Sequence, residues 1–276
     1  MSDRIKKMVI QPQKGWVLID WKELWEYKDL VYFLIWREIK TRYAQSVLGI
    51  GWAVIQPLFS MVIFTIVFGN LAKIDSNGVP YSIFSFSGLV PWTYFSTALS
   101  TSAGSLVASK AIITKVYFPR LIIPLAPIFS KLIDFIIAFS LLIVMVLFYG
   151  FSLSFKILLI PGLIMITILT ASGMGMWLSA LSVQYRDLNY ATGFFIQLLL
   201  YLAPVVYPAS NIPEDFRIYY GLFPMVGVIE SFRSILLDTI PIPLDFIITG
   251  SVVAIILFVS GMFYFKRIEK YFADVV

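Results

Sequence analysis

The stretch LIIPLAPIFSKLIDFIIAFSLLIVMVLFY, residues 121–149, decides the fold, because it carries only two charges, Lys131 and Asp134, along its whole length. A helix rises about 1.5 Å per residue and the hydrocarbon core of a bilayer is about 30 Å thick, so about 20 apolar residues make one crossing. This run is long enough. Working outward, runs of the same kind lie at about 50–71, 82–107, 157–182, 191–207 and 246–265. The expectation is an all-α membrane protein with six transmembrane helices.

Composition agrees with this, since 59% of the 276 residues are hydrophobic, 13% are charged and the mean hydropathy is +0.88. A soluble domain has no reason to carry so much apolar surface. The N-terminus is charged and polar through Lys14, without a short apolar run and small-residue cleavage site, so no cleaved signal peptide is expected. The chain has no Cys and no His, which removes disulfide scaffolds, thiolate nucleophiles, His-based metal sites and imidazole catalysis together. No catalytic residue and no metal site are expected. The net charge of +5 is explained by topology rather than by nucleic acid.

Lys and Arg accumulate on the cytoplasmic side of such proteins. The first 50 residues hold nine basic residues, the loop Ser109–Arg120 holds Lys110, Lys115 and Arg120 without an acid, the loop after the fourth run holds Arg186, and the tail holds Lys266, Arg267 and Lys270. The alternate segments hold only Lys73, Lys156, Arg217 and Arg233, alongside Asp75, Glu214, Asp215, Glu230, Asp238 and Asp245. Both termini are therefore expected in the cytoplasm, which needs an even number of crossings.

Ahead of the first run, Trp21, Leu24, Trp25, Val31, Tyr32, Ile35, Trp36, Ile39 and Tyr43 recur at helical spacing opposite Lys22, Glu23, Glu26, Asp29, Arg37, Glu38 and Lys40. Asp20 and Glu23 have the spacing of a capping box. This predicts an amphipathic helix over 20–45 lying in the headgroup plane. The resulting divisions are a cytoplasmic segment 1–19, the interfacial helix 20–45, the transmembrane domain 46–265 and a cytoplasmic tail 266–276. Between the fifth and sixth runs, Ile218–Glu230 and Phe232–Leu237 are each too short to cross and read as re-entrant or interfacial half-helices.

Within the runs, Lys131 and Asp134 are three residues apart, so they share a helix face and can neutralise each other. Ala171, Ser172, Gly173, Gly175, Ser179 and Ala180 form a small-residue patch that suits close packing of helix backbones. No G-x-x-x-x-G-K-[ST] phosphate loop occurs, so the chain does not cradle a nucleotide in that manner.

Four blocks then carry a resemblance. LIWREIKTRYAQSVLGIGWAVIQPL (34–58), ITKVYFPRLIIPLA (113–126), LSVQYRDLNYATGFFIQLLLYLAPVVYP (181–208) and PMVGVIESFRSILL (224–237) resemble, in collinear order, the permease subunits of ABC transporters that export lipid-linked polysaccharide. One departure is Phe223, where that family's pattern has Asn before the Pro. The resemblance implies a type-2 ABC exporter fold in the inner membrane: two copies of this chain form the pathway, two separate ATP-binding cassette subunits bind ATP and Mg, and the cargo is a polymer on an undecaprenyl-type lipid. O-antigen is the leading cargo, with teichoic acid or capsule as alternatives.

Site residues follow from combining that picture with the charge map. Arg37, Lys40 and Arg42 cluster where the carrier's pyrophosphate would meet the protein, although anchoring to anionic lipid is the plainer reading. Lys110, Lys115 and Arg120, with Arg186 and Asp187 on the Tyr-Arg-Asp turn, are candidates for coupling to the ATPase. Aromatic rings can stack on the C–H faces of sugars without fixing one register. Trp52, Gln56 and Phe59 on the first crossing and Phe194 and Tyr201 on the fifth are accordingly candidates to line the channel, against packing as the ordinary role of such stripes. Competing readings are an exporter of small molecules or lipid on the same architecture, a membrane glycosyltransferase or polymerase, and a passive channel. The scattered acids, of which only Glu214 and Asp215 are adjacent, speak against the enzyme.

Overall fold

Prolines, glycines and the charges near Lys131 set where the helices start, bend and stop. The computed structural model describes residues 25–44, 48–185, 187–238 and 240–269, and all regular elements among them are helical. Helix α1 (Lys28–Tyr43) leads through a 3-10 turn at Gly49–Gly51 into α2 (Trp52–Phe64), which continues as a π-helical stretch over Thr65–Leu71. There follow α3 (Tyr81–Ala108), the single turn α4 (Lys110–Ile113), α5 (Ile122–Ser130) and α6 (Leu132–Phe148). The rest comprises α7 (Ile160–Gln184), α8 (Leu188–Leu202), α9 (Glu214–Gly221), α10 (Pro224–Leu237) and α11 (Leu244–Glu269).

Four stretches are long and apolar enough to cross a membrane: Gly49–Leu71, Ile122–Phe148, Phe155–Gln184 and Leu244–Glu269. They coincide with four of the six expected runs. The other two differ for identifiable reasons. α3 has 28 residues, but ten of them are Ser or Thr. It is the centre of the core, with Ile83, Phe84, Phe86, Phe95, Ala98 and Leu99 all buried. A helix enclosed by protein needs no lipid-facing apolar coat, provided its hydroxyls are satisfied. They are turned back onto the chain: Ser87 donates to Phe84 O, Thr97 to Thr93 O and Thr101 to Thr97 O. Ser102 donates across to Pro124 O on α5 at 2.7 Å.

The fifth run, expected at 191–207, is helical only over Leu188–Leu202, about 22 Å of rise for its 15 residues. It stops because Pro204 disfavours helical backbone at the residue before it, and Ala203 is extended (ψ 142). The last helix runs on through Lys266 and Arg267 to Glu269 instead of ending at 265.

The half-helices divide at a different place from that read in the sequence. α9 and α10 meet at an angle of 106°, and the break falls at Leu222–Phe223, not at Ser231. Pro224 takes the first turn of α10, where its missing N–H costs nothing. Phe223 stands in the capping position without a side-chain cap and instead packs edge-on against Phe95 at 6.0 Å. Phe223, where the resemblance leads to the expectation of Asn, is partly buried through this aromatic contact.

α1 packs on α5 through Tyr27, Leu30, Val31, Leu34 and Ile35, around Ile122 and Ala126. Only Val31 and Ile35 belong to the expected stripe. Trp25, Tyr32, Phe33 and Trp36 are exposed. The helix is thus apolar on two sides, one packed on protein and one bare, and a single amphipathic stripe does not describe it. Trp21, Leu24, Lys22 and the capping pair Asp20 and Glu23 lie outside the described residues.

Small residues let α7 run between α3 and α11. A Cβ on Gly173 would come within 2.5 Å of the Leu257 backbone, one on Gly261 would strike Gly173 O, and one on Gly175 would strike Ser102 Oγ. That patch is a packing surface.

Candidate functional site

The junction of α1 and α6 is built by one carboxylate. Arg42, in the last turn of α1, places Nη1 2.7 Å from Asp134 Oδ2, Lys131 Nζ lies 3.3 Å from the same oxygen, and Tyr43 donates its hydroxyl to Oδ1. Two cations on one carboxylate leave the cluster with a net positive charge. Burial, and then the Asp134 carboxylate, push the Tyr43 phenol up from its ordinary 10.0 to about 12, so it remains a donor. Lys131 and Asp134 also line a crevice of about 60 Å³ between α2, α3 and α6, together with Trp52, Gln56, Thr93 and Thr97.

The three cations assigned to the pyrophosphate do not converge. Arg42 is engaged with Asp134, Arg37 sits 3.3 Å from Glu38, and Lys40 is exposed. Arg37, Glu38 and Thr41 face a separate cavity of about 280 Å³ whose far wall is Thr101, Ser105 and Ser109 of α3 and its cap. Five residues along a helix turn a side chain by about 140°, which is why Arg37 and Arg42 face different neighbours.

Both aromatic stripes lie on the open surface of the single chain. Trp52 and Phe59 are 52% and 66% exposed, Phe194 and Tyr201 are 65% and 60% exposed, and Gln56 is exposed as well. Within one chain these residues do not serve as core packing.

Arg233, which the sequence places in a half-helix between the fifth and sixth runs, is among the largest fully buried side chains. Its Nη1 lies 2.9 Å from Glu230 Oε1, its Nη2 donates to Val205 O at 2.7 Å, its Nε donates to Phe84 O, and the guanidinium lies 3.7 Å from the Phe84 ring centroid. Glu230 Oε1 also accepts from Ala209 N–H. Together they lock α10 to α3 and to the non-helical segment after α8. The signal was present in the sequence, since Glu230 and Arg233 are three apart within an otherwise apolar helix.

At the other end, Lys110 and Lys115 are exposed beside the exposed Val116 and Tyr117, forming a protruding basic turn. Arg120 does not belong with them. Its Nη1 donates to Glu269 O at 2.7 Å, so it ties this turn to the end of α11. Asp187 is exposed at the start of α8, where its carbonyl accepts from Tyr190 and Ala191. Arg186 lies outside the described residues.

Residues 29–237 match the family described as ABC-2 type transporter. The chain is 26% identical over 253 residues to the O-antigen export system permease protein RfbA of Myxococcus xanthus, covering 91% of this chain and 96% of that protein. It is 28% identical over 250 residues to the protein of the same name from Klebsiella pneumoniae, covering 90% and 95%. To the polysialic acid transport protein KpsM of Escherichia coli it is 22% identical over 208 residues, covering 75% and 80%.

Proposed function

The chain belongs to the ABC-2 type transporter family, and on that premise we propose that it is the membrane-spanning subunit of an inner-membrane exporter of lipid-linked polysaccharide, O-antigen first among the candidates. The observation that carries this reading is the similarity to O-antigen export permeases along nearly the full length of both chains. Two copies of the chain form the pathway, and two separate subunits bind and hydrolyse ATP with Mg.

Six crossings, with both termini cytoplasmic, fit the charge census once α3 and α8 are counted. α8 is short, but the segment that follows it is enclosed by protein at Ala203, Val205 and Val206. Irregular backbone is tolerated at membrane depth when it is enclosed in this way. The exposed stripes of α2 and α8 would face their counterparts across the dimer and offer stacking surfaces to a sliding sugar chain. The bare aromatic side of α1 suits the headgroup layer, and Arg37 and Lys40 are its remaining cations for the carrier's pyrophosphate. The turn bearing Lys110 and Lys115 would dock on the ATPase.

The test is deletion of the gene in its native host, followed by complementation. Loss of surface polymer with accumulation of lipid-linked polymer on the cytoplasmic leaflet, reversed by the restored gene, is the expected result. Undiminished surface polymer in the deletion strain would overturn the proposal.

A further inference from the structure

On the side opposite the Lys110–Arg120 turn, four separate segments close around a cavity of about 380 Å³. Its polar wall is Asn77, Ser210, Glu214, Arg217, Glu230 and Asp245. This volume lies within the range of small-ligand sites. Among the described residues no three carboxylates stand close enough to hold one metal ion. The acids are spread around the wall as separate acceptors, interleaved with an amide, a hydroxyl and a guanidinium. A ligand that presents many hydroxyl donors in different directions matches such a wall better than a point charge does.

Glu230 makes the arrangement more than a surface coincidence. Its side chain is 4% exposed, and Oε1 is occupied by Ala209 N–H and Arg233. Glu230 nevertheless lines the cavity wall, so this buried pair stands directly behind the site. Arg217 lies over the ring of Phe246 at 5.3 Å, which holds its guanidinium at the wall. The three carboxylates are offset by Arg217 and by Arg233 behind Glu230, leaving a balance of one negative charge. An anionic polymer is repelled by such a wall, and an uncharged one is not.

We propose that this cavity is a saccharide-binding subsite at the outer end of the pathway, selective for uncharged sugar residues of the exported polymer. The inference rests on the polysaccharide reading above and narrows its cargo to a neutral glycan, away from sialic-acid or phosphate-rich chains.

The test places p-benzoylphenylalanine at Ile242, half-buried in the cavity wall, with the same probe at the exposed Leu158 as control, and irradiates exporting cells. If the Ile242 variant fails to export, Ile212 on the same wall replaces it. Expected are a carbohydrate-positive adduct from the wall and none from Leu158. Glu214→Ala combined with Asp245→Ala, which removes both acceptors, should lower the adduct yield about three- to tenfold, the loss of one or two hydrogen bonds. Absence of an adduct while surface polymer is normal overturns the inference, as does a yield unchanged by the double variant or an exported polymer made mainly of acidic sugars. A parental chain that exports no polymer would sink the polysaccharide reading itself, and the subsite with it.

Discussion

Arg42 and Asp134 are 92 residues apart in sequence and 2.7 Å apart in space, and their ion pair fastens the end of α1 to the start of α6. With Lys131 and Tyr43 on the same carboxylate, Asp134 is the point through which α1 would sense movement of the helices. Asp134→Asn should leave two cations without a counter-charge and detach the C-terminal turn of α1. A double-mutant cycle with Arg42→Ala, read by thermal unfolding in detergent, should give a coupling of roughly 0.5–3 kcal/mol. Additive effects would mean that the contact does not hold the helix.

The Tyr43 phenol gives this junction a pH signature. Its folded-state value of about 12 exceeds the ordinary 10.0, so the folded chain retains a proton that the unfolded chain loses first as pH rises. The contribution is complete below pH 10 and is lost between 10 and 12. Tyr43→Phe should make the loss of stability over this interval smaller than in the parent. Phenolate absorbance and unfolding midpoints, compared over this interval, would check it.

Arg233 is expected to be intolerant of both removal and replacement. Arg233→Leu leaves Glu230 buried without its partner, a change that costs roughly 3–5 kcal/mol where buried pairs are broken. Lys should not rescue it, because one ammonium cannot reach Val205 O, Phe84 O and Glu230 from a single position. Yield of folded protein after detergent extraction is the readout, and a stable Arg233→Lys chain would contradict the account.

Charge reversals on the basic turn should separate into two classes. Lys115→Glu is expected to reduce co-purification of the ATPase while leaving the chain folded, since Lys115 is exposed. Arg120→Glu should instead destabilise the chain, because it breaks the bond to Glu269 O and sets like charges together. Normal ATPase binding by Lys115→Glu would remove this turn from the interface.

For the aromatic faces, Trp52→Leu, Phe59→Leu and Tyr201→Leu keep apolar bulk and delete stacking area. Each should slow polymer export several-fold with normal insertion and ATPase binding. If all three export at the parental rate, the pathway lies on another face.

Sequence alone determined the membrane class and four of the helices long and apolar enough to cross, because each depends on the local density of apolar and charged residues. It also carried the family, through blocks whose order and spacing need no coordinates. Tertiary structure decided everything that depends on what a residue faces. The hydroxyl-rich α3 shows how a segment of modest apolarity becomes the core when it is surrounded by other helices. Arg233 and Glu230 read as charges on short half-helices, and only the packed structure shows their partners at Val205, Phe84 and Ala209. Arg42, Lys40 and Arg37 formed one cluster along the chain, yet helix rotation sends Arg42 to Asp134 and Arg37 to a separate cavity. Ion pairs and cavities join residues tens of positions apart, and no local pattern records which side chains the packed helices will bring within 3 Å.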